Sequence, residues 1–153
     1  MQKYDNVYVT FAGEGPDENY IRDKFKNNKK VTITKYSSSE SLEIHSRHNI
    51  AVVPTVGSEG TSLSLLEAMA SRCATICSNV GGMTNIILDG FNGIMFDPYS
   101  EDDLYHALDL LVENYELRKK IAINGYMTAK DAFSLELWNE RWTKVIDNII
   151  NRR

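Results

Sequence analysis

Two cysteines and three prolines are all that this 153-residue chain contains. Cys73 and Cys77 stand at C-x3-C spacing around an expected strand, which matches neither a redox C-x-x-C pair nor half of a zinc set. Residues four apart on one strand share a face, yet a disulfide between them would be too long to close, so free buried thiols are expected. No run of about 20 apolar residues occurs, so nothing in the sequence spans a bilayer as a helix. The first residues, MQKYDN, carry no apolar signal region, and a cytoplasmic location is expected. A basic excess is also missing: 17 Lys and Arg against 21 Asp and Glu leave a net charge of −4. That argues against nucleic acid as the main partner, because binding a phosphate backbone needs a basic face. The lysines that do cluster, Lys24, Lys26, Lys29 and Lys30, read as a solvated face. His45 and His48, three apart on an expected helix, have no acid or thiol companion nearby in sequence, so no metal site is expected. Internal repeats, low-complexity segments and linkers are absent.

What the chain does have is alternation. Short β-branched and apolar runs at residues 7–12, 31–34, 50–53, 74–78 and 93–96 read as strands. Helical spacing fills residues 17–28, 38–47, 85–88 and a stretch from residue 61. Tyr20, Ile21 and Phe25 are spaced for one inward face of the first of these. From Ser100 onward the pattern is wholly helical, with segments opening at Ser100, at 116–130 and at 135–150. Leu135, Trp138, Trp142, Val145 and Ile149 form an apolar stripe on the last, which reads as core. Alternating strands and helices imply an α/β fold with a doubly wound parallel sheet of about five strands, helices on both faces and a helical C-terminus, in one domain.

The chemistry concentrates between Ile50 and Met83. Pro54 ends the strand Ile50-Ala51-Val52-Val53, since proline cannot donate to a sheet ladder. A glycine-bearing loop follows, then a helix whose start is crowded with small hydroxylated residues, a second buried strand and a Gly-Gly turn. Free N–H groups at a helix start, with the positive end of its dipole, attract phosphate, and Gly60, Thr61, Ser62 and Ser64 allow close approach. Carboxylates there would repel phosphate, so Glu59 and Glu67 on either side are suited to ligand hydroxyls. Eight residues of helix reach roughly 12 Å, the length of a ligand built as hydroxyls, diphosphate, hydroxyls. Two other readings stay open on pattern alone: Ser64-Leu65-Leu66-Glu67 fits a capping box, and Glu59 fits a solvated loop acid. Gly13-Glu14-Gly15 after the first strand has the first two glycines of a dinucleotide fingerprint, but Glu18 occupies the place of the third.

The run SEGTSLSLLEAMA (58–70), followed by VGGMTNIILDGFNGIMFDP (80–98), resembles the signature of the family 4 (group 1) glycosyltransferases of GT-B architecture, whose C-terminal domain carries two glutamates separated by seven residues. The resemblance runs from about Val7 to Ile150. It implies that Glu59 lies at the donor sugar as the catalytic-site acid, that Glu67 holds the ribose, and that backbone at Gly60, Thr61, Ser62 and Leu63 receives the diphosphate. It also implies that Gly13 sits in a G-x-G-P turn walling the cleft. Tyr36 falls near the nucleobase, where it can stack a base or simply pack. The chain departs from the family pattern at Thr61 and Ser62, often Phe-Gly, at Lys35, commonly glycine, at Asn85, usually glutamate, and at Arg72-Cys73-Ala74, often Gly-x-Pro.

The resemblance further implies a retaining transferase using a UDP-, GDP- or ADP-sugar as substrate, with no cofactor. A glycan or lipid acceptor would bind through an N-terminal domain that this chain does not contain, as in polysaccharide or cell-surface glycan synthesis, with the inner membrane face open to the parent protein. The family's first strand, with its diphosphate-binding arginine and lysine, also falls ahead of Val7. The isolated chain is therefore expected to be catalytically silent and to bind donor poorly. Closing the gap would give strand order 2-1-3-4-5, a flavodoxin-like sheet with its crevice between the loops after Ala12 and Val53. A different class stays in view: a non-catalytic nucleotide-binding module, or split-enzyme subunit, working with a partner chain. The lost domain interface would also favour weak self-association.

Overall fold

A computed structural model describes residues 3–57 and 59–151. The chain divides into two units, Met1–Ser41 and Leu42–Arg153. The first holds β1 (Val9–Ala12), α1 (Glu18–Phe25) and β2 (Val31–Thr34). β1 and β2 pair in parallel, Val9 opposite Val31 and Ala12 opposite Thr34. α1 buries no residue completely. Phe11 and Phe25 stack, with ring centroids 5.5 Å apart. Tyr20, expected inward, is exposed, and Lys24 Nζ donates to its hydroxyl at 3.3 Å. Its phenol is amphipathic and this small unit offers no full core to receive it.

All but the first residue of α2 (Ser41–Ser46) belongs to the second unit, followed by β3 (Ile50–Val53), α3 (Leu63–Ala70), β4 (Ala74–Ser78) and β5 (Ile94–Phe96). A single 3-10 turn, Ser38–Glu40, leads into α2 and is capped by Ser37. The reason is a capping box in which the Glu40 carboxylate reaches back to the Ser37 amide at 2.8 Å. β3, β4 and β5 pair in parallel in that order. All five residues of β4 are buried, as befits the central strand of a sheet covered on both faces. On one side Leu65 and Met69 of α3 pack with Cys77, Met83, Ile86 and Ile87. A second cluster joins Ile76 and Phe96 to Ala107, Leu111 and Ile121.

The last three of those come from helices that start where the sequence places caps. α4 (Glu101–Glu113), α5 (Tyr115–Phe133) and α6 (Leu135–Ile150) are each preceded by a side chain that accepts from an amide three residues on. Ser100 caps α4 at 3.1 Å, Asn114 caps α5 at 2.9 Å and Ser134 caps α6 at 3.3 Å. The three acids of the first turn of α4 complement its dipole.

The architecture is thus α/β with five parallel strands, flanking helices and a helical C-terminus, as the sequence implies. Among the described residues the strands are hydrogen-bonded in two sheets, β1–β2 in the first unit and β3–β4–β5 in the second. No described residue before Ser41 is fully buried, so the β1–α1–β2 unit is held by little buried apolar surface of its own. The stripe on α6, expected as core, is not: α6 buries no residue, and Trp138 and Trp142 are 57% and 50% exposed. Periodicity shows that a helix has an apolar face, not that the same chain covers it.

Candidate functional site

α3 begins at Leu63, two residues later than the helical spacing from Thr61 suggests, because Ser62 takes the N-cap in extended conformation. Its buried hydroxyl accepts from the Leu65 amide at 3.4 Å. The Ser64–Glu67 capping box is therefore not formed: with Ser62 as N-cap a capping acid would stand at Leu65, two residues before Glu67. With Leu65 satisfied by Ser62, the amides of Leu63 and Ser64 are the helix-start donors without an intrahelical partner. Around them Gly60 and Thr61 are exposed, and the Leu63 side chain is 70% exposed. An accessible cluster of N–H groups at the positive end of a helix is what an anion requires.

Glu59 is fixed from two directions. Its Oε2 accepts from the Thr55 hydroxyl at 3.2 Å, and its carbonyl oxygen accepts from the Gly82 amide at 2.9 Å. The Gly-Gly turn after β4 packs directly on this loop. A Cβ at Gly81 would stand 2.2 Å from the Glu59 carbonyl oxygen, and one at Gly82 would stand 2.1 Å from that of Gly60. Gly81 also has φ +51, in the left-handed region. The sequence marks Gly81 and Gly82 only as a turn; here they form the backbone wall that sets Glu59 and Gly60 in place. Two adjacent glycines at the end of a buried strand are the signal that pointed to them.

Glu67 is half-buried on α3, on the side where α2 packs. Ser71, one turn after Glu67, donates its hydroxyl to the Leu42 carbonyl at 3.4 Å, and the Cys73 thiol lies 3.1 and 3.3 Å from the carbonyls of His45 and His48. Burial pushes the His45 imidazole below its usual value, against the opposing pull of the Glu67 carboxylate and with a smaller push from His48. Burial also raises both thiols, Cys73 to about 11 and Cys77 to about 12, the latter with help from the Asp89 charge. Both are free, buried and protonated at neutral pH, as expected. Among the described residues no three metal-ligating side chains come together.

The structure thus brings Glu59, Gly60, Thr61, Ser62, Leu63 and Glu67 into one region of the second unit, with Thr55, Gly81, Gly82 and His45 as neighbours the sequence reading missed. Gly13 and Tyr36 belong to the first unit, at the C-terminal ends of its strands. Gly13 has φ +148, and its amide donates to the Thr34 carbonyl at 3.0 Å. Lys35 stands beside them, paired with Glu18 at 2.8 Å and Glu14 at 3.3 Å. Its hydrogen bond to Glu18 raises the ammonium and lowers the carboxyl. A lysine in place of glycine at that turn ties the Gly13–Pro16 loop to the end of β2.

Two hollows are present among the described residues, the second lined by Val80 next to Gly81 and by Tyr99, whose hydroxyl donates to the Val56 carbonyl at 3.4 Å. One, of about 520 Å³, is lined by residues 23–24 and 26–30 at the lysine cluster. The other, of about 610 Å³, opens past the C-terminal ends of β4 and β5 between Asn79, Asp89, Asp97, Tyr99 and Asp103.

The family model for "Glycosyl transferases group 1" matches residues 1–128. An uncharacterized glycosyltransferase of Methanocaldococcus jannaschii is 23% identical over 150 residues, covering 96% of this chain and 38% of that protein. The crystal structure of the C-terminal domain of a glycosyl transferase group 1 family protein (LpcC) from Francisella tularensis superposes with a TM-score of 0.77 at 30% identity, covering 88% of this chain and 73% of that one. A structure of Anabaena Alr3699/HepE in complex with UDP has a TM-score of 0.82 at 14% identity, covering 95% and 42%, a likeness of fold. The chain spans well under half the length of the curated relatives it matches.

Proposed function

The chain belongs to the group 1 glycosyltransferases, and from that premise we propose that it is the donor-binding part of a family 4 retaining enzyme that moves a sugar from a nucleotide-sugar to a glycan or lipid acceptor. Glu59 contacts the donor sugar at its hydroxyls. The backbone from Gly60 to Leu63, with the free amides at the start of α3, receives the diphosphate. Glu67, half-buried between α2 and α3, accepts from the ribose hydroxyls. The observation that carries this reading is the start of α3, where unsatisfied, accessible amides stand between two acidic residues, one of which, Glu59, has its carboxylate held by Thr55 and its backbone carbonyl by Gly82.

The chemistry of such a half-site is electrostatic. As the bond from sugar to diphosphate breaks, negative charge grows on the departing phosphate, and amides already aimed at it stabilise that charge without reorganising. A carboxylate placed at the sugar fixes its orientation and complements positive charge developing on the ring. The UDP complex of the Anabaena structure supports a nucleotide diphosphate as the ligand class. The acceptor belongs to another part of the parent protein, in a polysaccharide or cell-surface glycan pathway. No helix among the described residues is long and apolar enough to cross a membrane, and the parent works from the cytoplasm, at the inner membrane face when its acceptor is a lipid.

Calorimetric titration with UDP, GDP and ADP and their sugar conjugates, repeated on Glu67→Ala, tests the reading. One nucleotide is expected to bind weakly and to lose that binding on substitution. Equal binding by Glu67→Ala would remove Glu67 from the ribose site.

A further inference from the structure

The larger hollow is the feature that the donor site does not use. It opens past the C-terminal ends of β4 and β5, the end of a parallel sheet at which ligands bind, and its volume of about 610 Å³ is that of a small-molecule site. It shares two walls with the candidate site. Val80 precedes the Gly-Gly turn whose Gly82 amide holds the Glu59 carbonyl, and the Tyr99 hydroxyl donates at 3.4 Å to the carbonyl of Val56, in the loop that carries Glu59. The charge of its lining has one sign: Asp89, Asp97 and Asp103 contribute carboxylates, and no lining residue is basic.

Two of these acids are already oriented. Asp89 Oδ1 accepts from the Met95 amide at 2.8 Å and Asp97 Oδ1 from the Tyr99 amide at 2.9 Å, so each keeps its second oxygen for a ligand. Ionised carboxylates accept and do not donate, so the ligand that suits them brings hydroxyl or ammonium hydrogens, and a phosphate is repelled. A metal ion does not answer: among the described residues no three acidic, thiol or imidazole side chains come together to hold one. Tyr99 adds the apolar part. It is 84% exposed, yet its hydroxyl and its amide are both bonded, so a bare aromatic face is held in place at the rim. The electron-rich face of a fixed tyrosine attracts the C–H face of a sugar ring and gives up little entropy in doing so. We propose that the hollow is a second carbohydrate subsite, which stacks a neutral or amino-bearing sugar ring on Tyr99 and takes its hydroxyl hydrogens on Asp89, Asp97 and Asp103. Given Glu59 at the donor sugar, the reading on which this step rests, that ring is the acceptor's end nearest the transfer, while the rest of the acceptor is held by another part of the parent protein. The subsite then selects a glycan end that carries neither phosphate nor carboxylate.

Amide NMR of the isotope-labelled chain, titrated separately with methyl glucoside, glucosamine, glucose 6-phosphate and spermidine, tests this. Methyl glucoside and glucosamine are expected to shift the amides of Asn79, Val80, Phe96, Asp97 and Tyr99 with dissociation constants on the order of millimolar, and glucose 6-phosphate to bind several-fold more weakly. Tyr99→Ala should weaken the binding about fivefold, and Asp103→Asn about threefold. Both side chains are exposed, so each variant should unfold near the temperature of the parent chain. No shift at these amides with either sugar would overturn the proposal. So would glucose 6-phosphate binding as tightly as methyl glucoside, unchanged binding by Tyr99→Ala, or shifts with spermidine alone, which would make the hollow an acidic surface and nothing more. The shifts that nucleoside diphosphates cause at the start of α3 are read on other amides, so the donor site and this subsite fail independently.

Discussion

Gly82→Ala is expected to disturb the site without touching a side chain in it. The added Cβ would lie 2.1 Å from the Gly60 carbonyl oxygen, 2.7 Å from its carbon and 3.2 Å from the Thr61 nitrogen. All three are backbone atoms, so no rotamer change can relieve the clash, and the two loops must part by about an ångström. Forcing an extra methyl into a packed place costs about 1–3 kcal/mol. Weakening the hydrogen bond from the Gly82 amide to the Glu59 carbonyl adds about 1 kcal/mol, and the stiffer unfolded chain returns up to about 1 kcal/mol. The net loss is about 2 kcal/mol, which for a chain of 153 residues lowers the melting temperature by roughly 4–8 °C. Gly57→Ala is the control, since a Cβ there meets nothing within 4 Å. Thermal unfolding followed by circular dichroism reads both. If Gly82→Ala melts with Gly57→Ala, the Gly-Gly wall does not hold the Glu59 loop and the account of the site's geometry is wrong.

Other consequences can be measured on the same chain. The buried Asn92 side chain accepts from the Leu88 amide at 2.7 Å and donates to the Ile86 carbonyl and the Thr128 hydroxyl at 3.1 Å each. Asn92→Ala leaves those groups unsatisfied at about 1–3 kcal/mol apiece, so denaturant midpoints should drop by about 3 kcal/mol or more in stability; a loss under about 1 kcal/mol would contradict the network. The thiols of Cys73 and Cys77 should resist a colorimetric thiol reagent at pH 8 until the protein is unfolded. Their raised folded values, about 11 and about 12, mean that the unfolded chain releases its thiol protons first, near the ordinary value of 9.0. Stability is therefore present below pH 9 and falls as pH climbs from there through 11 and 12. Rapid native-state labelling, or alkaline stability that a Cys77→Ala variant shares unchanged, would argue against burial as the cause. Arg72 holds φ 63 while its guanidinium lies 4.4 Å from the centre of the Tyr126 ring. Arg72→Gly relieves about 1 kcal/mol of strain and loses a contact of similar size, so it should melt near the parent, whereas Arg72→Ala keeps the strain, loses the contact and should melt lower.

What was legible in the sequence was local. Strand β4 could be read from its unbroken apolar run, and α4 from Ser100 and the acids behind it, because those signals sit within a few residues of the structure they cause. The start of α3 was legible to within two residues: Thr61, Ser62 and Ser64 can each cap, and only packing selects Ser62, whose hydroxyl is buried. What stayed hidden is what depends on distant partners. Nothing in the spacing of Gly81 and Gly82 tells that they press on Glu59 and Gly60 some twenty residues earlier. The same holds for His45 near Glu67, and for Lys35 with Glu14 and Glu18. The α6 stripe was read correctly as apolar and wrongly as core, since burial depends on what else is there to cover it. Strand order is hidden for the same reason: a strand pattern names a strand, not its neighbour.

The central claim is that the start of α3 receives a diphosphate, and a titration of the isotope-labelled chain with nucleoside diphosphates, followed by amide NMR, tests it most directly. Such spectra report weak binding, which suits a chain expected to hold donor poorly. The account predicts that the largest shifts fall on the amides of Gly60, Thr61, Ser62, Leu63 and Ser64, with smaller ones at Gly81 and Gly82, and that Glu67→Ala weakens them for the nucleotide but not for inorganic diphosphate. Shifts centred instead on Lys24 to Lys30, with the amides at α3 unmoved, would contradict it.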